Sequence, residues 1–146
     1  MNRRELLIGG LALAGAALTG RVQAASLHEH AHHHDASPYA ALAAAAADCV
    51  GKGEICLNHC LELLAQGDKE MAACAQSVNQ MLAVCTALRQ LSNQNSSYTA
   101  KFAAIAADVC KRCEDECLKH AKKHIQCKAC AESCSACHLE CQKVNA

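Results

Sequence analysis

A chain of 146 residues with 52% hydrophobic letters supports one core and not two. Lys plus Arg balance Asp plus Glu at 14 each and aromatics make only 2%, so there is no basic stripe with interleaved aromatics and nucleic-acid binding is excluded. The usual bulky core fillers are scarce, and 13 cysteines stand in their place, a density that points to a disulfide scaffold or to metal.

Residues 1–24, "MNRRELLIGGLALAGAALTGRVQA", join Arg3-Arg4 to an apolar run from Leu6 to Leu18 and to small residues before Ala24. That is the pattern of a signal peptide for the twin-arginine route. The run, broken by Gly9-Gly10, is shorter than the ~20 residues of a membrane span. The expectation is cleavage after Ala24, export to the periplasm, and no membrane attachment after the signal is removed. In such an oxidising space unprotected thiols should pair, and an odd number cannot all pair within one chain. Residues 25–37 carry His28, His30, His32, His33 and His34 in a polar stretch. They read as a flexible tail that either catches copper, zinc or nickel loosely or only solubilises.

Residues 38–146 read as four helices. The first is predicted from Pro38 to about Ala65, driven by "ALAAAAAD" and ended by Gly67. Gly51 and Gly53 weaken its middle, yet Cys49, Cys56 and Cys60 keep helical spacing across them, so it is read as continuous. Asp68 caps the second helix, which carries Cys74, Val78, Met81, Cys85 and Leu88 on one stripe and stops at the polar "SNQNSS". The third starts near Ser97 with Phe102, Ile105 and Val109 before its stripe turns to Cys113, Cys117 and His120. In the fourth, "IQCKACAESCSACHLEC", Cys127, Cys130, Cys134, Cys137 and Cys141 fall within an arc of about 80° at 3.6 residues per turn. Cys110, Cys113, Cys117, His120 and His124 repeat that spacing with imidazoles for the last two thiols. The turn between the third and fourth helices must lie in "KHAKKHIQ", with one long coiled-coil helix as the rival.

Short connections imply antiparallel neighbours, hence an all-α, up-down-up-down four-helix bundle with a cysteine-lined core. Folding at about residues 67, 94 and 124 sets Cys60, Cys74, Cys113, Cys117, Cys130 and Cys134 at similar heights, then Cys56, Cys110 and Cys137, then Cys49, Cys85 and Cys141. Leu42, Leu88, Leu91 and Phe102 close the end opposite Gly67, and His120, His124 and Met71 lie near the Gly67 end. His138 is expected to face outward.

Helix neighbours three or four apart hold their Cβ atoms ~5–6 Å apart, too far for the ~3.5–4.5 Å of a disulfide. Metal tolerates the gap. With bonds of roughly 2.3 Å to sulfur, each i,i+4 pair is a bidentate clamp: Cys56/Cys60, Cys113/Cys117, Cys130/Cys134 and Cys137/Cys141. Buried thiolates need neutralising, and one monovalent ion per thiolate achieves it, so multiple Cu(I) ions suit these rows. Zinc asks for convergent sets of four and remains the alternative, with a cysteine-packed core, a cross-helix disulfide scaffold and iron–sulfur binding as further readings.

The stretches "ADVCKRCEDEC", "CKACAESCSACHLECQKV" and "CLNHCLELL", with the twin-arginine leader, closely resemble the exported copper storage proteins. The resemblance runs from about Tyr39 to the C-terminus. It implies a four-helix bundle holding many Cu(I) ions by thiolates, kept for recipient copper enzymes, and assembly as a homo-oligomer, a tetramer. It also carries His59 and Met71 as ligands at the open end, while Leu63 and Gln66 stand where relatives have Met. The expected function is storage and sequestration of Cu(I), with a zinc or general metal buffer and a copper chaperone as alternatives. No nucleophile with a positioned base is visible, so no enzyme is expected.

Overall fold

The computed structural model describes residues 37–144, which form four helices and a single 3₁₀ turn, with no strand among them. The helices are α1 (Ala40–Ala65), α2 (Ala72–Asn93), α3 (Thr99–Leu118) and α4 (Ile125–Val144). The expected signal peptide and all but Ser37 of the His-rich segment lie outside the described residues.

Each boundary has a local cause. α1 begins after Pro38, behind a turn in which Ala40 N donates to Ser37 O at 2.9 Å. It runs unbroken through Gly51 and Gly53. Gly67, at φ +94°, lets Asp68 N reach Leu63 O and Gly67 N reach Leu64 O, both at 3.0 Å, so the last carbonyls of α1 are satisfied in a Schellman closure. Asp68 does cap, accepting from Glu70 N at 3.1 Å, but the cap serves the 3₁₀ turn Lys69–Met71 that leads into α2. Asn95 repeats the Gly67 device at the end of α2: with φ 48° it lets Ser96 N reach Leu91 O at 3.0 Å. Asn tolerates this left-handed conformation better than most residues.

Between α3 and α4 the chain turns within residues 119–124, where His120 N donates to Cys117 O and His124 N to His120 O, both at 3.0 Å. The rival single long helix is therefore excluded. α1 packs on α2 and α4, and α3 on the same two; the diagonal pairs meet only through side chains in the lumen. This is the expected up-down-up-down four-helix bundle, closed around one lumen.

The lumen is lined with small side chains. All 13 cysteines are fully buried, beside Ala46, Ala103, Ala106, Val78 and Met81. The predicted stripe of α3 is corrected. Ile105 is 54% exposed, and the buried positions are Thr99, Ala103, Ala106, Cys110, Cys113 and Cys117. Counting back from Cys110 by four, three and four residues reaches Ala106, Ala103 and Thr99, whereas Ile105 lies roughly 140° round the helix at ~100° per residue. Leu42 and Leu88 close the end opposite Gly67, with Leu91 and Phe102 half-buried there. The hydroxyls of Ser92 and Thr99 sit on this floor, buried and without a hydrogen-bond partner.

The two kinds of glycine in and after α1 lead to opposite expectations. A Cβ at Gly51 meets nothing within 4 Å, so Gly51→Ala should stabilise the bundle by about 1 kcal/mol through helix propensity. Gly67→Ala, forced to a positive φ, should destabilise it by about 1 kcal/mol or more. Urea unfolding of the reduced, metal-free protein would measure both, and equal effects of the two substitutions would contradict this account of the α1 terminus.

Candidate metal centre

The interior sulfurs fall into groups whose Sγ atoms all lie within 4.8 Å of one another. Nearest the Gly67 end are Cys56, Cys60, Cys74 and Cys127. Cys56 is shared with Cys117 and Cys130, and Cys130 is shared again with Cys113 and Cys134. Cys134 lies 3.5 Å from Cys49, which belongs to the group Cys49, Cys85, Cys110 and Cys137. Cys141 follows Cys137 toward the floor and interacts with it. A continuous thread of sulfur therefore runs the length of the bundle and includes every cysteine.

The closest contacts all cross between helices. Cys49 meets Cys134 at 3.5 Å and Cys56 meets Cys127 at 3.8 Å, between α1 and α4. Cys74 meets Cys117 at 3.6 Å and Cys85 meets Cys110 at 3.4 Å, between α2 and α3. None of the cysteines is joined in a disulfide. Of the four expected i,i+4 clamps only Cys56/Cys60 and Cys130/Cys134 fall in one group. The physical reason is the helical rise: four residues advance ~6 Å along the axis, so the partner across the lumen is nearer than the partner one turn away.

The predicted layers are corrected too. Cys110 and Cys137 join Cys49 and Cys85, not Cys56, and Cys113 and Cys117 fall in different groups. The α3–α4 pairs Cys110/Cys137, Cys117/Cys130 and Cys113/Cys134 stay together as expected; it is the connection between α2 and α3, residues 94–98 instead of a pivot at 94, that moves the α3 partner of each α2 residue by about one turn.

At the Gly67 end, Met71 is fully buried while His59, His120 and His124 are half-buried. His59 Nε2 and His124 Nδ1 lie 2.9 Å apart, with ring centroids at 4.9 Å. His124, not His120, is therefore the loop imidazole brought to His59; both lie in "KHAKKH", and only the turn's course separates them. His138 is not fully outward: it is half-buried and its Nδ1 donates to Ala107 O at 2.8 Å, tying α4 to α3.

Hydrogen bonding along the thread sorts the thiols. Bonds from Cys110, then Cys134, bring Cys49 down from 9.0 to about 6. Cys60 is pushed down chiefly by Cys127, Cys130 by Cys113, and Cys137 by Cys110. Cys85 and Cys134 are pushed up, each chiefly by Cys110, and Cys117 chiefly by Cys113. Each group thus contains at least one sulfur biased toward thiolate, the form that ligates metal.

The model of a family described as copper storage protein matches residues 35–146. The chain is 28% identical over 99 residues, 68% of its length and 88% of the relative's, to an uncharacterized cysteine-rich protein, YhjQ, of Bacillus subtilis. Its fold is similar to a Cu(I)-bound copper storage protein, BsCsp3, with a TM-score of 0.67 and 28% identity, covering 74% of this chain and 98% of that one. It is also similar to a copper storage protein of Streptomyces lividans loaded with 10 copper equivalents, at a TM-score of 0.66 and 28% identity over 73% and 82% of the two chains.

The expected export to the periplasm is overturned by these findings. A further solved structure at 28% identity and a TM-score of 0.66, covering 73% of this chain and 90% of that one, is of a cytosolic copper storage protein from Streptomyces lividans.

The depressed Cys49 thiol sets a pH dependence for the metal-free bundle. Its folded value of about 6 lies below the ordinary 9.0, so between those limits the unfolded chain binds the extra proton and stability rises with pH. The contribution is present above pH 9 and lost as pH falls through 6, and the other lowered thiols act in the same sense. Denaturant unfolding under strong reductant at several pH values should show lower stability near pH 5 than near pH 8; a flat profile would contradict the thiolate assignment.

Proposed function

Since this chain belongs to the copper storage protein family, we infer that it stores Cu(I) as many ions along the sulfur thread of its four-helix bundle, sequestering free copper and supplying it to copper enzymes. The observation that carries the reading is the sharing of sulfurs between successive groups. Cys56 and Cys130 each belong to two. A thiolate that bridges two ions lets each Cu(I) take two or more sulfurs while the ratio stays near one ion per cysteine, which leaves the buried core neutral.

The ligands are the thirteen cysteines, with Met71, His59 and His124 receiving copper at the Gly67 end. His120, three residues before the turn closes, is the weaker partner there, since its neighbour His124 holds the contact with His59. Copper chemistry favours this set because sulfur and imidazole bind Cu(I) well and the lumen contains no carboxylate among its buried residues.

Zinc keeps one observation in its favour: two groups hold four sulfurs each, the number a tetrahedral zinc site uses. A chaperone needs only one or two sites near the surface, and the buried thread does not resemble that. Anaerobic titration of the reduced full chain with Cu(I) decides among the three. Storage gives roughly one ion per cysteine, about 13 per chain; a plateau at one or two ions indicates a chaperone, and tighter binding of about two to six zinc ions indicates a buffer.

A tetrameric assembly follows the same reading. Ile55 and Ile125, 58% and 68% exposed, flank a shallow groove on α1 and α4 with Lys52, Gln126 and Ala129, an apolar strip suited to a second copy. Sedimentation equilibrium should return four chain masses, and a monomer at every concentration would remove this part of the proposal.

A further inference from the structure

Met81 is the one thioether among the cysteines at the deep end of the lumen. It is fully buried, and its Sδ lies 3.3 Å from Cys49 Sγ, a member of the group Cys49, Cys85, Cys110 and Cys137. We propose that Met81 is a Cu(I) ligand at this deep group, a neutral fifth sulfur added to its four cysteines.

The way the side chain is seated separates this role from packing alone. A flexible methionine that merely fills space presents methyl or sulfur indifferently. Here the methyl is accommodated at Gly53: a Cβ on that residue would stand 2.4 Å from Met81 Cε and 2.9 Å from Leu82 Cδ2. Gly53 is buried inside α1, one helical turn after Cys49, at a position where helix propensity favours almost any other residue. The notch keeps the methyl beside α1 at Gly53 and leaves the sulfur against Cys49.

A neutral donor also suits this depth. Four thiolates around one Cu(I) would leave three uncompensated negative charges far from water. Each cysteine thiolate brings a negative charge to the site, whereas the thioether adds a soft donor that brings none. The deep group can then coordinate copper with fewer ionised cysteines than its sulfur count requires.

The inference rests on the copper-storage reading, and one experiment separates the two. The chain has three methionines, Met1, Met71 and Met81, so full-length selenomethionine protein carrying Met71→Leu keeps a single selenium within the bundle. After anaerobic loading with Cu(I), X-ray absorption at the selenium edge should show a copper neighbour, and adding Met81→Leu should abolish it while helicity stays close to that of the parent. Leucine is near methionine in volume, so folding should survive; if it does not, the spectrum of the Met71→Leu protein alone decides the matter. A fully loaded Met71→Leu protein with only carbon around selenium overturns the proposal, as does a copper–selenium signal that persists after Met81→Leu. A chain that takes up no Cu(I) sinks the storage reading itself, and the proposal with it.

Discussion

Everything in this bundle depends on sulfur atoms meeting across a narrow lumen. Two helices approach as closely as their inward side chains permit, and cysteine and alanine are small enough to bring sulfurs from facing helices within 3.4 to 3.8 Å. Larger aliphatic residues on the same stripes would hold the helices apart and break the thread into isolated thiols. Leucine and methionine appear only where the thread ends or where a notch receives them, at Leu42, Leu88, Met71 and Met81. The composition that looked poor in core fillers is the composition such a lumen requires.

The metal-free state must still fold. Neutral thiols pack as small hydrophobes, so a lumen of protonated cysteines is stable enough to exist before copper arrives. Its polarity is handled by sulfur-to-sulfur hydrogen bonds, in which a few sulfurs such as Cys49 and Cys130 are held toward thiolate by protonated neighbours. At a protonated sulfur copper exchanges for the proton without a change in buried charge, and at a sulfur already held as thiolate it neutralises one. The cost of thirteen buried anions, which would be prohibitive if met at once, is never incurred.

The sequence was readable wherever a helix period or a helix terminator decided the matter. Cysteines at steps of three and four disclosed the stripes of α3 and α4, Gly67 disclosed the end of α1, and the unbroken spacing from Cys49 to Cys60 outweighed Gly51 and Gly53. What could not be read was axial register. In "SNQNSS" no single residue marks the pivot, and centring it near 96 instead of 94 moves every α2–α3 contact by about one turn. The regrouping of Cys110 and Cys137 with Cys49 and Cys85 descends from that connection, and the choice of His124 over His120 from "KHAKKHIQ", where no residue marks the turn. Met81 was visible as a stripe residue, but its sulfur contact depends on the methyl finding Gly53 across the helix interface, a three-dimensional coincidence that no spacing encodes.

The sharing of Cys56 and Cys130 between neighbouring groups has a consequence for how copper occupies the thread. An ion bound at one group fixes a sulfur that the next group also uses, so occupancy at one level alters affinity at the next; such coupling is reciprocal by linkage. Separate tetrahedral cages would fill independently. A thread fills as a connected chain of bridged ions, with the buried sulfurs of Cys60 and Cys74 nearest the imidazoles of the mouth and that of Cys141 nearest the hydrophobic floor. The shared sulfurs link the groups as far as Cys134, whose 3.5 Å contact with Cys49 carries the thread to the deepest group. That continuity lets a lumen only a few ångströms wide serve as a store instead of a single binding site.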